Sequence, residues 1–445
     1  MTTLENNTVS IDKLTGLINR KGLIEEANLL SEKGCVLTVI TVKLSRFKQL
    51  NDGLGNDLGD RVIAQVAKRL TKTFKNASLI GRMAGSNFCL VFDNIDQQQV
   101  EHEISRLRDF AERPILLQRE VIVLSVNVGV ADNQSGIKET SELINAAEIA
   151  LHNNQVCQLK VSFFHPQMKR EAQTAHKLEN DLRVALVNQA TQLHNAEQSD
   201  EFFLMYQPIM SSDESYPDAL EALVRWKHPT QGIISPIDFI NIAEQINIIG
   251  LLGRWILRRA CITAVSWPAC NNGHLPNVSV NLSASQLIED DSIYIIVKEA
   301  LEESGLNPRR LKLEVTESQA ITGNMIDTIT KLKSLGCTIA LDDFGTGFSS
   351  LMLLSKLPID FVKIDRSFVK HIGSDDELQE QQTIKIIKSI VALVDVLDLE
   401  PIMEGVETEA QLNAVTNLGI DLIQGYYFSK PLNQEDVIPF ILSKQ

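Results

Sequence analysis

The sequence predicts an α/β protein in which a (β/α)8 TIM-like barrel follows an α+β domain built on a single sheet. The chain has 445 residues, about three times the length of a typical domain, so at least two domains are expected. Short apolar strands alternate with helical segments through residues 201–445, whereas residues 1–165 lack this rhythm. Hydrophobic residues make up 44% of the chain and charged residues 22%, as in folded globular proteins.

The chain is expected to divide into a first domain over residues 1–165, a connecting helix and loop over residues 166–200, and a barrel over residues 201–445. In the first domain, strands are predicted at residues 34–44, 88–92 and 121–131, and helices at residues 59–74 and 141–155. The connecting region is polar, but its apolar residues recur at helical spacing. We therefore predict a helix that ends before the loop NAEQSD at residues 195–200.

Eight strands with helical crossovers are predicted in the last part of the chain, and this number favours a closed barrel. The strands cover residues 203–209, 220–226, 278–283, 311–317, 337–345, 360–365, 401–407 and 421–428. Helical segments lie between them, for example at residues 251–265 and 384–398. An open doubly wound sheet is the alternative, but the sequence lacks the glycine-rich first turn of that fold.

The chain is acidic, with 42 Lys and Arg against 57 Asp and Glu and a formal net charge of −15. Sequence-independent binding to a nucleic-acid polymer is therefore not expected, because it requires a basic surface. No pair among the six cysteines has the CxxC spacing of a zinc or redox site. The sequence shows neither a signal peptide nor an apolar run long enough to span a bilayer. We expect a cytoplasmic protein that does not bind a membrane.

Polar side chains occur close to the ends of several predicted barrel strands. They are Glu221, Asn281, Glu314, Asp342, Asp343, Lys363 and Glu404. Any one of them alone would ordinarily be a cap or a solvated group at the rim. In a parallel barrel, however, the carboxyl ends of the strands meet at one mouth, so we expect the set to converge. Carboxylates packed this closely repel one another and are costly without cations.

Oxygen ligands without His or Cys favour hard ions such as Mg²⁺ or Mn²⁺. The set exceeds what one ion takes from a protein, so we expect two ions that share a bridging carboxylate from the Asp342–Asp343 pair. Adjacent Asp side chains can serve one site only where the strand breaks, and GTG at residues 345–347 predicts such a break. Two such ions promote in-line attack of water on phosphorus, and Lys363 would orient or deprotonate that water. A solvated rim lysine is the alternative. The spacing alone predicts a two-metal phosphodiester hydrolase.

Eight motifs follow one another through the C-terminal half. They are YQPI (206–209), EALVRW (221–226), NLSASQL (281–287), LEVTES (313–318), DDFGTGFSS (342–350), KIDRSF (363–368), EGVE (404–407) and QGYYFSKP (424–431). In this order they resemble the EAL domains, phosphodiesterases that cleave the bacterial second messenger cyclic di-GMP to linear pGpG. The resemblance covers roughly residues 174–440, whereas the tripeptide Glu-Ala-Leu alone would not be specific. It implies a cyclic-guanylate-specific phosphodiesterase.

The resemblance also implies roles for single residues. One metal would be held by Glu221, Asn281, Glu314 and Asp342, and a second by Asp342, Asp343 and Glu404, with Asp342 bridging. The catalytic set would be Lys363, Glu404 and Glu221, and the substrate-binding set would be Gln207, Arg225, Gln424 and Asp365. Loops around the site would be anchored by Glu317 and Glu407. The resemblance further implies a homodimer formed through this domain, with cyclic di-GMP as its substrate.

The first domain carries DKLTGLINR at residues 12–20 and FKQLNDGLGNDLGD at residues 47–60. These motifs resemble those of GGDEF domains, the diguanylate cyclases. The signature loop is degenerate, because it reads AGSNF at residues 84–88. Ser86, Asn87 and Lys43 stand where an active cyclase needs acidic residues. Two Mg²⁺ ions cannot be held without carboxylates, so phosphoryl transfer by this domain should fail.

Asn51 and Asp60 match residues that contact the guanine base in that family, and two interpretations are open. This half of the chain either binds GTP without metal and regulates the hydrolase, or is a structural or dimerising module. The second interpretation is favoured, because NDG at residues 51–53 is typical of a turn and Ala84 replaces a glycine of the phosphate loop.

For the barrel, the alternative to an enzyme is a catalytically silent receptor for cyclic di-GMP. Receptors of this kind usually lose the glutamate of the EAL motif, an aspartate of the pair or the lysine. Glu221, Asp342, Asp343 and Lys363 are all present, so an enzyme is expected. An active cyclase or a bifunctional enzyme is disfavoured by the AGSNF loop.

Overall fold

The structure is a computed structural model that describes residues 10–45, 47, 50–51, 55–117, 120–133, 136–137, 139–156, 161–191, 201–288, 292–316, 325–346, 354–374 and 376–444. The predicted loop NAEQSD, Glu317 and residues 347–350 of the DDFGTGFSS motif lie outside this part of the chain. Contacts divide the chain into two compact units, Met1–Lys177 and Leu178–Gln445. The domain limits proposed from the sequence stay a prediction.

The first unit packs helices on both faces of one principal sheet. Its helices are α1 (Arg20–Glu32), α2 (Asn56–Thr73), α3 (Gln97–Glu112) and α4 (Thr140–Val156). Its strands are β1 (Ile18–Asn19), β2 (Leu37–Leu44), β3 (Leu79–Arg82), β4 (Asn87–Asp93), β5 (Ile115–Leu117), β6 (Glu120–Ile122), β7 (Val126–Asp132) and β8 (Val161–Phe163). In the principal sheet the order is β1-β3-β4-β2-β7-β8. The alternation along β2 sends Ile40 and Val42 toward α2 and α3, and Leu37 and Val39 toward α1 and α4.

The segment predicted as one strand at residues 121–131 forms two strands instead. β7 pairs with β2 from Val126 onward, where β2 ends at Leu44. One more hydrogen bond, from the Ser45 N–H to the Ser125 carbonyl, precedes that point. Upstream of it the chain leaves the principal sheet, and β6 pairs with β5 in a separate hairpin. The predicted α+β class is unaffected.

Helix α5 (Pro166–Thr191) contains the boundary between the two units. The second unit follows. Its helices are α6 (Pro236–Gln245), α7 (Ile249–Val265), α8 (Ala284–Ile288), α9 (Ser292–Ser304), α10 (Met325–Ser334), α11 (Glu377–Val396), α12 (Glu409–Asn417) and α13 (Gln434–Ser443), with 3-10 turns at Pro308–Arg310 and Arg366–Phe368. Its strands are β9 (Phe202–Ser211), β10 (Pro217–His228), β11 (Gly232–Ile234), β12 (Asn277–Asn281), β13 (Leu311–Thr316), β14 (Thr338–Phe344), β15 (Phe361–Ile364), β16 (Glu400–Met403), β17 (Leu422–Gln424) and β18 (Leu432–Asn433).

Within the described residues, eight of these strands close a barrel in the order β9-β10-β12-β13-β14-β15-β16-β17, because β17 and β10 both pair with β9. The predicted barrel fold is therefore confirmed. The expectation that all its strands are parallel is wrong, since β9 runs antiparallel to both neighbours. The connection from Ser211 to Pro217 is too short for a parallel crossover, which needs a dozen or so residues, so β9 and β10 form a hairpin.

The barrel interior receives every second residue of each strand, and β13 illustrates this. Leu311, Leu313 and Val315 pack in the hydrophobic core. Lys312 and Glu314 alternate with them and are equally buried, because the two faces of a barrel strand are both covered. The Lys312 Nζ atom lies 3.3 Å from Asp218 Oδ2 and 3.6 Å from the centre of the Phe361 ring.

None of the helices in the described part of the chain has the length and apolar character needed to cross a bilayer.

Candidate active site

The barrel strands bring the predicted polar residues to one end of the barrel interior. Glu221 lies in β10, Asn281 ends β12, Glu314 lies in β13, Asp342 and Asp343 lie in β14, Lys363 lies in β15, Glu404 follows β16 and Gln424 ends β17. The expected position of Glu221 at a strand end is wrong, because β10 continues to His228. Strands β9 and β11 supply hydrogen-bonding partners for this extension.

Lys363 is the centre of the cluster. Its Nζ atom lies 2.7 Å from Glu404 Oε1, 2.8 Å from Glu314 Oε2, 3.2 Å from Asp342 Oδ1 and 3.5 Å from Glu221 Oε2. The side chain is 1% exposed. Burial alone would lower the pKa of Lys363, but the four carboxylates outweigh it and hold the pKa well above its usual value. The ammonium group is therefore charged at neutral pH, and a solvated rim lysine does not describe it.

The carboxylates of the cluster differ in their pKa. Burial and the charge of Glu221 raise the pKa of Glu314 to about 8. Burial also raises the pKa of Glu404 to about 7, together with the charge of Asp342 and against the pull of Lys363. Glu221 is different, because Lys363 and two amide donors overcome its burial and lower its pKa. The cluster thus holds protons at neutral pH when only Lys363 neutralises it.

Amide and hydroxyl donors fix the orientation of two of these carboxylates. Asn281 Nδ2 donates to Glu221 Oε1 at 2.6 Å, and Gln424 Nε2 donates to Glu221 Oε2 at 2.7 Å. The Ser279 hydroxyl donates to Glu314 Oε1. Ser279 is fully buried and was not predicted from the sequence. It precedes Asn281 by two residues and so shares its face of β12, which is the signal that could have identified it.

The Asp342–Asp343 pair lies at an irregularity of β14. The register with β15 shifts between Leu341 and Phe344, and Asp343 adopts a left-handed backbone conformation with φ of 56°. The Asp343 N–H donates to Asp342 Oδ1 at 3.0 Å. The strand ends at Phe344, directly before the break expected at residues 345–347, and a further distortion falls on the aspartates themselves. Both carboxylates can therefore face one site.

The donor set fits a hard divalent cation. Asp342, Asp343 and Glu404 each offer a carboxylate oxygen, and these three atoms lie within 4.8 Å of one another. The Nδ2 atom of Asn281 donates to Glu221, so the Oδ1 atom of Asn281 can coordinate a cation. Burial and the charge of Asp342 raise the pKa of Asp343 as well. The pKa values of Asp343 and Glu404 are raised, and Lys363 is the cation among these carboxylates. Added positive charge from a metal ion would therefore stabilise the site.

The predicted substrate-binding residues border this cluster. Gln207 Oε1 accepts a hydrogen bond from Gln424 Nε2 at 3.3 Å. Arg225 is half-buried, and its Nη1 atom donates to the carbonyl of Val224 at 2.9 Å. A cavity of about 510 Å³ lies beside the cluster, and its walls include Arg225, Asn281, Asp342 and Asp343. Asp365 caps the Arg366–Phe368 turn by accepting from the Ser367 N–H at 3.0 Å.

The remaining predicted residues lie apart from this cluster or outside the described chain. Glu317 belongs to the latter group. Glu407 is exposed, and its backbone N–H donates to Gln411 Oε1 at the start of α12. Among the described residues, no hydrogen bond or ion pair joins the Glu407 side chain to the carboxylates.

In the first unit, Lys43 pairs with Asn87 across β2 and β4, next to Ser86. Among the residues that the structure describes, the Asn51 Oδ1 atom is buried without a hydrogen-bond partner, and a Cβ atom at Gly59 would approach it to 1.9 Å. Gly59 therefore allows Asn51 to lie against α2, directly before the exposed Asp60. The two predicted guanine contacts are neighbours in the fold.

The raised pKa values predict how a divalent cation held by these carboxylates would depend on pH. Such a cation would displace the protons held by Glu404 and Glu314, whose pKa values are about 7 and about 8, so its affinity should rise as pH increases through this range. Without a bound ion, the protonated forms of Glu314 and Glu404 stabilise the folded state. Their contribution to the free energy of unfolding is fully present below the ordinary pKa of 4.5 and is lost as pH rises through 7 to 8. Calorimetric Mg²⁺ titrations and thermal unfolding at about pH 6 and about pH 8.5 should therefore show tighter binding and a larger Mg²⁺ stabilisation at the higher pH. A pH-independent affinity would contradict this.

The fold and the site define a two-domain α/β protein with an acidic pocket at the mouth of its barrel, and comparisons with known proteins assign the family. Residues 190–431 match the EAL domain family, and residues 9–156 match the family described as diguanylate cyclase, GGDEF domain. The chain belongs to the EAL-domain family and carries the two domains in tandem.

Two curated relatives come from Pseudomonas aeruginosa. Cyclic di-GMP phosphodiesterase NbdA is 36% identical over 95% of this chain and 52% of its own length. The bifunctional diguanylate cyclase/cyclic di-GMP phosphodiesterase MucR is 32% identical over 96% of this chain and 61% of its own length. The chain thus spans about half the length of the first of these relatives and somewhat more of the second. The solved PaMucR phosphodiesterase in complex with c-di-GMP is 36% identical, with a TM-score of 0.52, and covers 59% of this chain and 99% of its own.

Proposed function

We propose that this protein hydrolyses cyclic di-GMP to linear pGpG at the barrel mouth, with two divalent ions, Mg²⁺ or Mn²⁺, as cofactors. The observation that carries the proposal is the convergence of acidic and amide oxygens from separate strands around Lys363, beside a cavity of about 510 Å³. The named activities of NbdA and MucR support the choice of substrate.

The residues proposed to hold the ions form two sets that share Asp342. One set is Glu221, Asn281, Glu314 and Asp342, and the other is Asp342, Asp343 and Glu404. When bound, such a pair of ions lowers the pKa of water and neutralises charge on a phosphodiester. The side chains do the remaining work.

Gln424 and Asn281 hold both oxygens of Glu221, so that its carboxylate cannot rotate. Lys363 Nζ, a charged donor in the barrel interior, would orient the attacking water or offset the negative charge that develops at phosphorus. Arg225 at the wall of the cavity would bind a substrate phosphate, and Gln207 would support Gln424. These roles need the oxygens close together on rigid strands, which is how the barrel holds them.

The GGDEF-like half is proposed to be inactive as a cyclase. The places of the catalytic acids are taken by Lys43, Ser86 and Asn87, and Lys43 would oppose a metal ion. Its proposed role is structural or regulatory, with GTP at Asn51 and Asp60 as the candidate ligand. A homodimer through the barrel domain also belongs to the proposal.

A mass-resolved turnover assay tests both halves together. The purified full chain with Mg²⁺ or Mn²⁺ should convert cyclic di-GMP to pGpG, and GTP supplied alone should give no cyclic di-GMP. Ca²⁺ in place of Mg²⁺ should slow hydrolysis, because its looser coordination misplaces the reacting groups. Binding of cyclic di-GMP without turnover would favour the receptor, and any cyclic di-GMP made from GTP would overturn the assignment of the AGSNF loop.

A further inference from the structure

His228 ends strand β10, two residues after the EALVRW motif, and is a buried residue that the proposed chemistry does not use. Its side chain is 4% exposed. The Nε2 atom lies 3.1 Å from Asp181 Oδ2 on helix α5, and the ring packs edge-on against Trp226 with centres 5.2 Å apart. A polar contact thus joins the end of a barrel strand to the helix that contains the boundary between the units.

The hydrogen bonds around the ring assign its tautomer. The Thr230 and Gln231 N–H groups both donate to Nδ1, each at 3.2 Å. A nitrogen that accepts these bonds carries no proton, so the proton lies on Nε2 and is donated to Asp181. His228 therefore links a tight turn on one side to a carboxylate of α5 on the other.

The second half of helix α5 is part of the barrel core. Leu182 is fully buried, and Leu178, Ala185 and Leu186 pack in the same hydrophobic cluster as Trp226. The boundary between the compact units falls after Lys177, within this single helix. A displacement of this half of α5 against the barrel would therefore change the distance between Asp181 and His228.

Beyond Ala222, strand β10 pairs with β9 and then with β11 instead of with β12. Register pairs with β12 stop at Ala222. Beyond it, Arg225 pairs with Phe203 of β9, and the hairpin to β11 begins only at Trp226. Arg225 therefore lies between the part of β10 that pairs with β12 and the end at His228, which pairs with Gly232 of β11 and contacts Asp181 of α5.

We propose that His228 is a positioning residue that couples helix α5 to Arg225 through its bond to Asp181. The position of the helix then sets the affinity for substrate. The inference rests on the proposed function, because the role of Arg225 as a phosphate ligand is part of that proposal.

The experiment compares variants of the full chain. Asp181→Ala and His228→Asn should each raise KM for cyclic di-GMP by about tenfold, with kcat changed by less than about threefold. The double variant should have a KM no higher than that of either single variant. Asn at 228 keeps an oxygen that can accept from the turn but cannot reach Asp181. Asp181→Asn keeps an acceptor for Nε2–H and should restore KM. Glu171→Ala, which removes an exposed carboxylate from the same helix, is the matched control and should leave KM unchanged.

Hydrogen exchange of the peptide over residues 222–231 separates this inference from the proposed activity. Asp181→Ala should speed exchange there even if the parent protein turns over no substrate. Unchanged hydrogen exchange in the variant, or additive effects of the two substitutions on KM, would overturn the coupling. A variant that loses kcat and thermal stability while its KM stays unchanged would also overturn it. An inactive parent protein with faster exchange in the variant would overturn only the proposed function.

Discussion

Replacing Glu221 by Ala should reduce cyclic di-GMP hydrolysis by more than about 100-fold, because even outer-shell partners of a metal site contribute about 10- to 100-fold. The substitution removes a proposed cation ligand and leaves the Asn281 and Gln424 amides without their shared acceptor. Glu221→Gln should be similarly inactive, because it preserves the volume but not the negative charge. Turnover of pGpG and circular dichroism give the measurement and the check on folding.

The matched control is Glu299→Ala, which removes an exposed glutamate paired with Arg254 on the outside of the same barrel. It should turn over cyclic di-GMP at the parent rate. Near-parental activity of Glu221→Ala would refute the assignment of the metal site. If Glu221→Ala does not fold, the activity of Glu221→Gln decides the question instead.

Replacing Lys363 by Met should affect both stability and activity. The substitution leaves Glu314, which is fully buried, without a cation, and breaking a buried ion pair in this way costs about 3–5 kcal/mol. Loss of stability should be larger at pH 8 than at pH 6, because Glu404 and Glu314 are then less protonated. Loss of a group that transfers or orients a proton typically reduces turnover by about 10²- to 10⁴-fold.

Mg²⁺ should separate the two effects of Lys363→Met. Added ions neutralise the carboxylates and should restore most of the melting temperature, while hydrolysis stays low. Lys312→Met is the control, because Lys312 is an equally buried lysine of the barrel interior that pairs with Asp218 instead. Its stability loss should not respond to Mg²⁺. A Lys363→Met variant that Mg²⁺ returns to full activity would limit the lysine to a structural role.

The barrel could be predicted from the sequence because apolar strands and helical crossovers alternate along the chain. Strand direction could not, since the pattern along β9 is the same whether its neighbours run parallel or antiparallel. Only the short connection to Pro217 carries that information. The same limitation explains why Glu221 was placed at a strand end. Strand β10 continues beyond it because β9 and β11 pair with the extension, and the residues of β10 alone do not show this pairing.

The cluster itself was visible because acidic residues and Lys363 interrupt apolar strands, which is unusual enough to indicate a shared site. Residues that act through hydrogen bonds alone were not visible. The sequence does not show that Ser279 lies beside Glu314, because the pairing of β12 with β13 brings them together. Nor does it show that His228 contacts Asp181, which lies far away in the sequence. The register shift at Asp343 also depends on packing between two strands.

The left-handed backbone at Asp343 sets two separate requirements on one position. The side chain is proposed to supply an oxygen to a cation, and the backbone must tolerate a conformation that most residues avoid. Asn meets both requirements in part, Gly meets only the second, and Glu meets only the first. Few single substitutions at this position are therefore expected to be neutral, because each alternative gives up the oxygen, the backbone conformation or part of both.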